Sequence, residues 1–456
     1  MARGAVQSAG TTEVPSTEVP TTEVPTTEVV VVGAGFGGLA AARGLAGEPR
    51  AHVTILDRHN YNTFQPLLYQ VASSGLDVGD VAHSVRAIFR DAPNVSVRTG
   101  ELVSVDLPAR RVHLADGATL RYDTLVLAAG ATTNFFGIPG AADRSFPIYT
   151  LADAVRLRSA VLQRFEAAEV DPARIEHGEL TFVIVGGGPT AVELAGSLAE
   201  LFERVIRQDF RRIDPARARV VLVEMQDTVL PSFRARSRRH AADRLAARGV
   251  ELRLGTTVDA IEPEGVRLTT GEGIPARTVV WSAGVRPSGI AERVGLPLDG
   301  TGRVAVASDL SVPGRPEVFV VGDLAASRAR DGSLAPQLAP VAIQGGRHAA
   351  AQISRQLAGR PTRPFRYHDK GTMATIGRRA AVADLRFGVS LSGTLAWLAW
   401  LVLHLMYLVG FRRRVEVLFG WAWNYFTWNW GPRLILEPEA DIPAAAPSDQ
   451  PRSKEA

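Results

Sequence analysis

The stretch VVVVGAGFGGLAAARGL, residues 29–45, decides the fold of this 456-residue chain. Its β-branched start predicts a buried strand, and its alanine-rich end predicts a helix. Between them Gly33, Gly35 and Gly38 fit the pattern GxGxxG, which provides a tight turn, a close approach to a pyrophosphate, and close packing of helix on strand. Asp57 ends the next predicted strand, where a carboxylate can accept hydrogen bonds from ribose hydroxyls. The stretch therefore predicts a dinucleotide-binding unit.

The same pattern occurs a second time in TFVIVGGGPTAVELAGSLAEL, residues 181–201. Gly186 and Gly188 take the first two glycine positions, and Ala191 takes the third, which the fingerprint tolerates. Glu224 ends the strand that follows, and its carboxylate would repel a ribose 2′-phosphate, which favours NADH over NADPH. Two such units imply two nucleotides, so the sequence predicts an α/β fold with two Rossmann-like domains.

The absence of cysteine narrows the chemistry that this chain can perform. It excludes redox-active disulfides, thiolate nucleophiles, and zinc or iron–sulfur sites held by cysteine, and we expect no metal site. Any redox chemistry must therefore come from a bound cofactor. The net charge of +4 arises from basic residues scattered among acids, so we expect no nucleic acid partner.

Further predicted strands end in glycine at Gly130, Gly284 and Gly322. With the two glycine loops, this arrangement resembles the flavoproteins with two dinucleotide-binding domains, in which the first domain holds FAD and the second a nicotinamide nucleotide. Longer segments are similar to a narrower family, the type II NADH dehydrogenases, which are single-subunit NADH:quinone oxidoreductases. These segments are NTFQPLLYQVASSGL (62–76), GGGPTAVELAG (186–196), LAPVAIQGGRHAA (338–350) and YHDKGTMATIGRRAAV (367–382).

The resemblance extends from Val29 to about Leu436 and implies an order of domains. We expect the FAD domain in two parts, 29–150 and 285–365, with the NADH domain, 151–284, between them. Residues 366–437 are expected to form a membrane-anchoring region. The Pro-spaced TTEVP repeat predicts a disordered tail at 1–28, and the Pro-, Ala- and charge-rich end predicts another at 438–456.

The resemblance also implies roles for single residues. Glu193 matches a glutamate beside the nicotinamide and Gln344 matches a glutamine at the flavin and the quinone, so these two are the expected catalytic residues. Pro340 departs from the family, because many members carry a glutamine there and proline offers neither a side-chain donor nor a backbone N–H. The expected ligands are Gly33, Gly35, Gly38, Asp57, Gln65, Gly130 and Asp323 for FAD, Gly186, Gly188, Glu224 and Gly284 for NADH, and Pro340, Ile343 and Gln344 for the quinone.

A membrane-anchoring region would explain the apolar stretch AWLAWLVLHLMYLVGFRRR at residues 396–414. The 25 residues between Arg386 and Arg412 carry no charge, and this length is enough for the ~20 residues of a transmembrane helix. The alternative, which we favour, is a set of amphipathic helices lying in one leaflet. His404 is either a proton donor to a quinone or, more commonly for such a position, a packed residue. The residues suited to a bilayer surface are Trp421, Trp423, Tyr425, Trp428, Trp430, Arg412, Arg413 and Arg414.

These observations predict an enzyme that oxidises NADH with FAD and reduces a membrane quinone without pumping ions. We expect it to be peripheral, on the cytoplasmic face of the cell membrane, in contact with lipid through residues 388–430, and homodimeric. A flavin disulfide reductase and a sulfide:quinone reductase both need redox-active cysteines, so the sequence excludes those mechanisms. A ferredoxin-type NAD(P)H reductase and a membrane-associated, nucleotide-responsive flavoprotein with slow turnover remain alternatives.

Overall fold

The first sheet forms around the valine run of the first glycine unit. The computed structural model describes residues 26–329, 331–407, 415–422 and 433–436. The neighbouring strands of this sheet are parallel, except for one antiparallel pair, Ser311–Val312 with Arg315–Val320. Both faces are covered, one by the helices Phe36–Leu45 and Ala339–Leu357 and the other by the small sheet of residues 102–121 with the helix Ile290–Val294, which suits strands made of consecutive buried valines. In spatial order the strands are β20 (Ser311–Val312), β21 (Arg315–Val320), β9 (Thr124–Leu127), β1 (Thr27–Val32), β2 (Ala51–Asp57) and β5 (Val95–Thr99).

The second sheet forms around the second glycine unit and is parallel throughout. In spatial order its strands are β11 (Phe146–Pro147), β18 (Thr278–Trp281), β12 (Thr181–Val185), β13 (Arg219–Glu224) and β14 (Val250–Leu254). The strands of the first sheet come from chain segments on both sides of this unit, so the first unit is discontinuous. The chain passes between the two units twice. The two connecting segments contain β10 (Ala131–Thr133) and β19 (Val285–Pro287), which pair as antiparallel strands.

The helices of the first unit pack closely because their contact surfaces carry glycine and alanine. A Cβ at Gly346 would lie 2.1 Å from the carbonyl oxygen of Gly37, so glycine lets the two longest helices of this unit touch. Pro340 lies in the first turn of the later helix, where a proline costs no backbone hydrogen bond.

The α-helices are α1 (Phe36–Leu45), α2 (Leu68–Ala72), α3 (Val78–Val81), α4 (Val85–Ile88), α5 (Ala141–Arg144), α6 (Leu151–Val170), α7 (Pro189–Glu200), α8 (Ala235–Ala246), α9 (Ile290–Val294), α10 (Ala339–Leu357) and α11 (Gly393–Tyr407).

Three small antiparallel sheets are attached to the two units, and they are formed by chain segments outside the glycine loops. They are β3 (Tyr61–Thr63) with β4 (Ala82–Ser84), then β6 (Leu102–Asp106), β7 (Arg111–Leu114) and β8 (Thr119–Arg121), and finally β15 (Val258–Glu262), β16 (Gly265–Leu268) and β17 (Gly273–Pro275).

The C-terminal region begins with a sheet and continues into helices. The sheet comprises β22 (Thr372–Gly377), β23 (Ala380–Asp384) and β24 (Ser390–Ser392). It packs on α7 through Gly196, where a Cβ would lie 2.1 Å from the carbonyl oxygen of Ile376. The stretch 366–437, predicted as an anchoring region, therefore starts with a sheet that belongs to the body of the protein. After it come α11 and a further helical segment, 415–422.

One predicted boundary, and the choice between a transmembrane helix and helices lying in one leaflet, can be compared with the structure. β1 begins at Thr27, inside the predicted tail 1–28. Of the helices in the described ranges, none combines the length and the apolar character needed to cross a bilayer. The remainder of the two predicted tails, residues 1–25 and 438–456, lies outside the described residues. The same is true of Arg412, Arg413, Arg414, Trp423, Tyr425, Trp428 and Trp430.

Candidate active site

The first glycine loop has the geometry that a dinucleotide pyrophosphate requires. Gly33 has φ of +100°, and a Cβ there would lie 2.4 Å from the carbonyl oxygen of Ala128, so only glycine fits. In front of Gly35 the space is open, with no atom within 4 Å of a Cβ position. The Asp57 carboxylate accepts a hydrogen bond of 2.7 Å from the Ala34 backbone N–H and so fixes the loop at the start of α1. This cradle fits the phosphates and ribose of FAD.

Tyr149 joins several residues predicted at the flavin. Its carbonyl oxygen accepts a hydrogen bond of 3.2 Å from the Gln65 side chain, and its hydroxyl accepts one of 3.3 Å from the backbone N–H of Ala131. Gly130 precedes Ala131 with φ of +65°, and a Cβ there would lie 3.7 Å from the Tyr149 hydroxyl. The structure thus brings Gln65 and Gly130 together, through a tyrosine that the sequence analysis did not single out.

Asp323 lies in a short 3₁₀ turn, Gly322–Leu324, that follows β21. Burial raises the pKa of its carboxyl to about 6, although the positive charge of Arg303 lowers this pKa. The backbone oxygen of Asp323 accepts a hydrogen bond from Gln337. A carboxyl that is partly protonated near neutral pH can either donate or accept a hydrogen bond, which suits a contact with a polar cofactor edge.

The second glycine loop repeats the geometry of the first. Gly186 has φ of +113°, and a Cβ there would lie 2.7 Å from the carbonyl oxygen of Ser282. Glu224 accepts a hydrogen bond of 2.5 Å from the Gly187 backbone N–H, in the role that Asp57 has in the first loop. The space in front of Gly188 is open, as it is at the equivalent glycine of the first loop. Gly284 follows β18 two residues after Ser282, whose carbonyl oxygen meets Gly186, so the four predicted NADH residues lie at the same end of the parallel sheet.

A cavity of about 610 Å³ opens between the two units and the C-terminal helices. Helices α2 and α7 and strand β22 provide its polar side, and α11 with the helical segment 415–422 provides an apolar and aromatic side. Polar lining residues are Tyr69, Gln70, Glu193, Ser197, Glu200, Thr375, Arg378, Arg379 and Thr394, and the larger apolar and aromatic ones are Trp397, Leu398, Trp400, Leu401, Val402, Leu405, Leu418 and Trp421.

Glu193 is a buried carboxyl that lines this cavity. Only 7% of the residue is exposed, and its Oε1 accepts hydrogen bonds of 3.2 Å from the backbone N–H of Thr375 and from the indole N–H of Trp400. Burial raises the pKa of Glu193 to about 8, although both hydrogen bonds favour the carboxylate. At neutral pH the side chain therefore carries a proton that it can give up.

A row of aromatic side chains connects the first glycine loop with the cavity. Phe36, in the loop, meets Phe64 edge-to-face at 5.7 Å, and Phe64 meets the ring of His404 at 6.2 Å. His404 stacks on Trp400 at 4.0 Å and bonds through Nδ1 to its carbonyl oxygen, while burial lowers the pKa of the imidazole to about 4. His404 is thus a neutral packed side chain that supports Trp400.

The residues predicted for the quinone pocket lie on α10 and do not line this cavity. Gln344 pairs its whole amide with the backbone of His368: Nε2 donates to the carbonyl oxygen and Oε1 accepts from the N–H, both at 2.9 Å. Pro340 and Ile343 precede Gln344 on the same helix. Gln344 therefore does not line the cavity that Glu193 lines, and its contact with His368 fixes the segment leading into β22.

The outer side of α11 is apolar and exposed. Leu395 is 69% exposed and Met406 60%, and Phe419, in the helical segment 415–422, is 70% exposed. The inner side of the C-terminal helices is tied to the body, since the Trp421 indole N–H donates a hydrogen bond of 3.0 Å to the side chain of Gln70. Within the described ranges, no cluster of histidine and acidic residues could hold a metal ion.

The sequence analysis missed Trp400, Thr375, Tyr69 and Glu200 as cavity residues. Trp400 offered the clearest signal, because a tryptophan on an apolar helix needs a partner for its N–H when it is buried. The partner is far away in sequence, so the pairing could not be read from the local pattern.

Comparison with known proteins gives two family matches. The pyridine nucleotide-disulphide oxidoreductase model matches residues 27–346, and the NDH2 C-terminal domain model matches residues 369–427. The second match includes β22 to β24, α11 and the helical segment 415–422, and of these β22, α11 and the segment 415–422 line the cavity.

Two curated relatives and one solved structure extend these matches. The chain is 40% identical over 427 residues to the type II NADH:quinone oxidoreductase Ndh of Mycobacterium tuberculosis, covering 90% of each chain. It is 41% identical over 413 residues to NdhA of the same organism, covering 87% of this chain and 86% of the relative. The structure of NDH2 from Plasmodium falciparum in complex with NADH superposes with a TM-score of 0.83 at 17% identity, covering 90% of this chain and 100% of the other, which supports the fold.

Proposed function

This chain belongs to the type II NADH:quinone oxidoreductases, and from that membership we propose how its residues divide the work of the reaction. It is a flavoprotein that binds FAD and NADH, oxidises NADH and reduces a quinone. FAD, when bound, supplies the chemistry that takes a hydride from NADH and passes electrons on to the quinone. The overall reaction converts NADH, a proton and a quinone into NAD⁺ and a quinol.

In this proposal the two glycine loops hold the two nucleotides. Gly33, Gly35 and Gly38 with Asp57 hold the FAD pyrophosphate and ribose, because the loop leaves open space at Gly35 and its carboxylate already fixes the turn. Gln65, Gly130 and Asp323 act at the flavin end. Gly186, Gly188, Glu224 and Gly284 hold NADH in the same way, with Glu224 excluding a 2′-phosphate.

The quinone headgroup occupies the cavity beside Glu193. A single observation supports this assignment: Glu193 is a buried, protonated carboxyl at neutral pH, in a cavity whose other side is formed by apolar and aromatic side chains. Such a site suits an apolar ring with polar oxygens, and Glu193 can give its proton to an oxygen of the quinone as charge develops there. Trp400 holds the carboxyl in position. This assignment moves Glu193 from the nicotinamide, where the resemblance alone put it, to the acceptor.

Gln344 acts as a positioning residue in the same proposal. Its two hydrogen bonds to His368 hold the segment that enters β22, and β22 provides the Thr375 N–H that binds Glu193. Pro340 begins α10 and makes no contact with the quinone. The proline at position 340, where many family members carry a glutamine, then affects the start of a helix and leaves quinone binding unchanged.

The outer side of α11 lies on the bilayer surface, and residues 388–430 form the membrane contact. The exposed apolar side chains of α11 support this proposal, since a patch of this kind on a soluble surface is unfavourable. The acceptor cavity adjoins this helix, so a quinone dissolved in the membrane has a short route to Glu193. The protein acts on the cytoplasmic face, without ion pumping. The expected homodimer is part of the same proposal, and light scattering of the detergent-purified protein tests it.

The experiment is a comparison of electron donors and acceptors. The detergent-purified chain should show a flavin spectrum, should oxidise NADH faster than NADPH, and should do so rapidly only when ubiquinone or menaquinone analogues are added. Slow oxidation that no quinone accelerates would favour a nucleotide-responsive flavoprotein. Transfer to a ferredoxin in preference to quinones would favour the ferredoxin-type reductase.

A further inference from the structure

Phe136 combines two features that are unfavourable in a purely structural residue. Its φ is +53°, in the left-handed region that phenylalanine rarely adopts, and 60% of the residue is exposed. Among the described residues it is the only aromatic one with a positive φ. A single exposed apolar side chain is ordinary on a protein surface, but one that also occupies a strained conformation points to a function for the side chain.

The backbone before Phe136 is fixed to the end of β18. The Asn134 backbone N–H donates a hydrogen bond of 3.1 Å to the carbonyl oxygen of Gly284, and the Asn134 carbonyl oxygen accepts one of 2.8 Å from the indole N–H of Trp281. The Asn134 side chain accepts a hydrogen bond of 3.0 Å from the Phe136 N–H. Phe135 packs against Trp281 with the ring centroids 5.8 Å apart. These contacts hold the strained conformation, so the fold itself sets where the Phe136 ring lies.

The Phe136 ring lies against the backbone of Gly284. A Cβ at Gly284 would lie 3.0 Å from Cζ of the ring and 3.3 Å from Cε2, so the missing side chain allows this close approach. Gly284 covers one part of the ring, while most of the residue stays open to solvent. An aromatic ring in this position offers a large apolar surface to a ligand that binds at the end of β18.

The strand order of the second sheet shows which half of NADH would reach that surface. β13 and β14 lie on one side of β12, and β18 lies on its other side, so the order reverses between β12 and β18. A dinucleotide binds across such a switch point, with its pyrophosphate at the glycine loop. Glu224 ends β13 and marks the adenosine side in the proposed function. The nicotinamide half therefore extends towards β18, where Gly284 and Phe136 lie.

The same place is where the chain passes between the two units. Phe136 closely follows β10, Gly284 directly precedes β19, and these two strands pair. Gly130, expected at the flavin, directly precedes β10. The nicotinamide has to leave its own unit at this point to give a hydride to the flavin of the other unit, and hydride transfer requires the two rings to be held in one geometry.

We propose that Phe136 binds the nicotinamide half of NADH by packing its exposed ring against the nicotinamide ribose. The contact holds the nicotinamide ring in the direction of the flavin and adds to the affinity for NADH. ADP has no nicotinamide half, so its binding should not depend on Phe136. The proposal rests on the assignment of NADH to the second glycine loop made above.

The test uses Phe136→Asn in the full-length, FAD-loaded protein. Asparagine tolerates the left-handed conformation but removes the ring. In stopped-flow measurements of flavin reduction, the Kd for NADH should rise by about tenfold, the scale expected for the loss of ~50 Å² of apolar contact. ADP, added as a competitive inhibitor of the same half-reaction, should keep its Ki within about twofold of wild type, because it binds at a distant part of the site. Phe136→Tyr keeps the ring and should keep the Kd for NADH.

Thermal melts separate a ligand contact from a structural role. Phe136→Asn removes the strain of a left-handed phenylalanine, so it should melt at or above the wild-type temperature and retain its FAD. Arg110→Asn is the matched control, because Arg110 is exposed with φ of +52° directly before β7, and it should leave the Kd for NADH unchanged.

A Kd for NADH within about twofold of wild type in Phe136→Asn would overturn the proposal. Equal losses of NADH and ADP affinity, or a loss of FAD, would overturn it as well, since they would show a structural or flavin-binding role. Measuring Glu224→Gln in parallel separates the two hypotheses. If that variant changes the preference for NADH over NADPH while Phe136→Asn is silent, the nucleotide site stands and the role of Phe136 fails. If neither variant affects the coenzyme, the second glycine loop is not the NADH site.

Discussion

The carboxyl of Glu193 accepts a hydrogen bond of 3.2 Å from the indole N–H of Trp400, across 207 residues of sequence. This contact joins the second nucleotide unit to the C-terminal helix α11. A helix that could have served only as an anchor is therefore part of the wall of the acceptor cavity. The contact favours the charged form of the carboxyl, but burial favours the neutral form and outweighs it.

Trp400→Phe should raise the pKa of Glu193 further. The variant keeps an aromatic ring but removes the N–H that stabilises the carboxylate, so the neutral acid gains relative to the charged form. The rate of flavin reoxidation by quinone, which needs the protonated acid, should then persist to higher pH than in wild type. Stopped-flow reoxidation measured from pH 6 to 10 tests this. Leu395→Ala, at an exposed position of the same helix outside the cavity lining, is the control and should leave the profile unchanged.

Glu193→Gln should change how stability depends on pH. The folded-state pKa of about 8 lies above the usual value of 4.5, so the folded protein binds a proton that the unfolded chain releases between these values. The contribution of this group to the free energy of unfolding is therefore full below pH 4.5 and is lost as pH rises towards 8. Glutamine removes that loss, which amounts to a few kcal/mol at most. Thermal melts should show the variant gaining on wild type between pH 5 and 8, and parallel curves would mean that the carboxyl is not buried as described.

Much of the fold could be predicted from the sequence because its signals are local. The two glycine loops, with Asp57 and Glu224 at the ends of the following strands, occur as the fingerprint requires, and each acid binds the backbone of its loop. The glycine positions follow from backbone geometry alone, since Gly33 and Gly186 each have positive φ against a neighbouring carbonyl group. The discontinuous first unit follows from the resemblance to the flavoproteins with two dinucleotide-binding domains, which implies an FAD domain in two parts.

The cavity could not be predicted in the same way, because its residues meet only in the folded chain. Trp400 belongs to an apolar run whose composition indicates a membrane contact, and nothing near it in sequence indicates a carboxyl partner. Gln344 shows the opposite problem: the family motif suggests a ligand, whereas in this fold its amide is fully engaged by the backbone of His368. Pro340 departs from the motif, yet its place in the first turn of α10 gives it an ordinary structural reason.

Replacing Glu224 should weaken the preference for NADH. Glu224→Gln removes the charge that opposes a 2′-phosphate while keeping an oxygen for the Gly187 N–H, so the loop should survive. The ratio of kcat/KM for NADH to that for NADPH should fall by about tenfold, the scale of one unfavourable contact of ~1.4 kcal/mol. Asp57→Asn is the matched change in the first loop. It should reduce the FAD content of the purified protein and leave the coenzyme ratio intact, so a shifted ratio in Asp57→Asn would contradict the assignment of the two loops.

Charges on the outer side of α11 should release the protein from membranes. Leu395→Glu and Met406→Glu place carboxylates on exposed positions outside the cavity lining, where they do not disturb the core but oppose insertion into a bilayer. The double variant should appear in the supernatant when it is sedimented with lipid vesicles, with its flavin still bound. Val170→Glu, at an exposed apolar position at the end of α6, is the control and should sediment like wild type. Sedimentation of the double variant with the vesicles would rule out α11 as the contact.

The most direct test of the acceptor site is the comparison of the two half-reactions in Glu193→Gln. NADH should reduce the bound flavin at a rate close to that of wild type, while a quinone analogue should reoxidise it more slowly by about tenfold or more, because the buried proton donor is missing. The opposite result, slow flavin reduction with normal reoxidation, would rule out Glu193 as the proton donor to the quinone and return it to the nicotinamide side of the flavin.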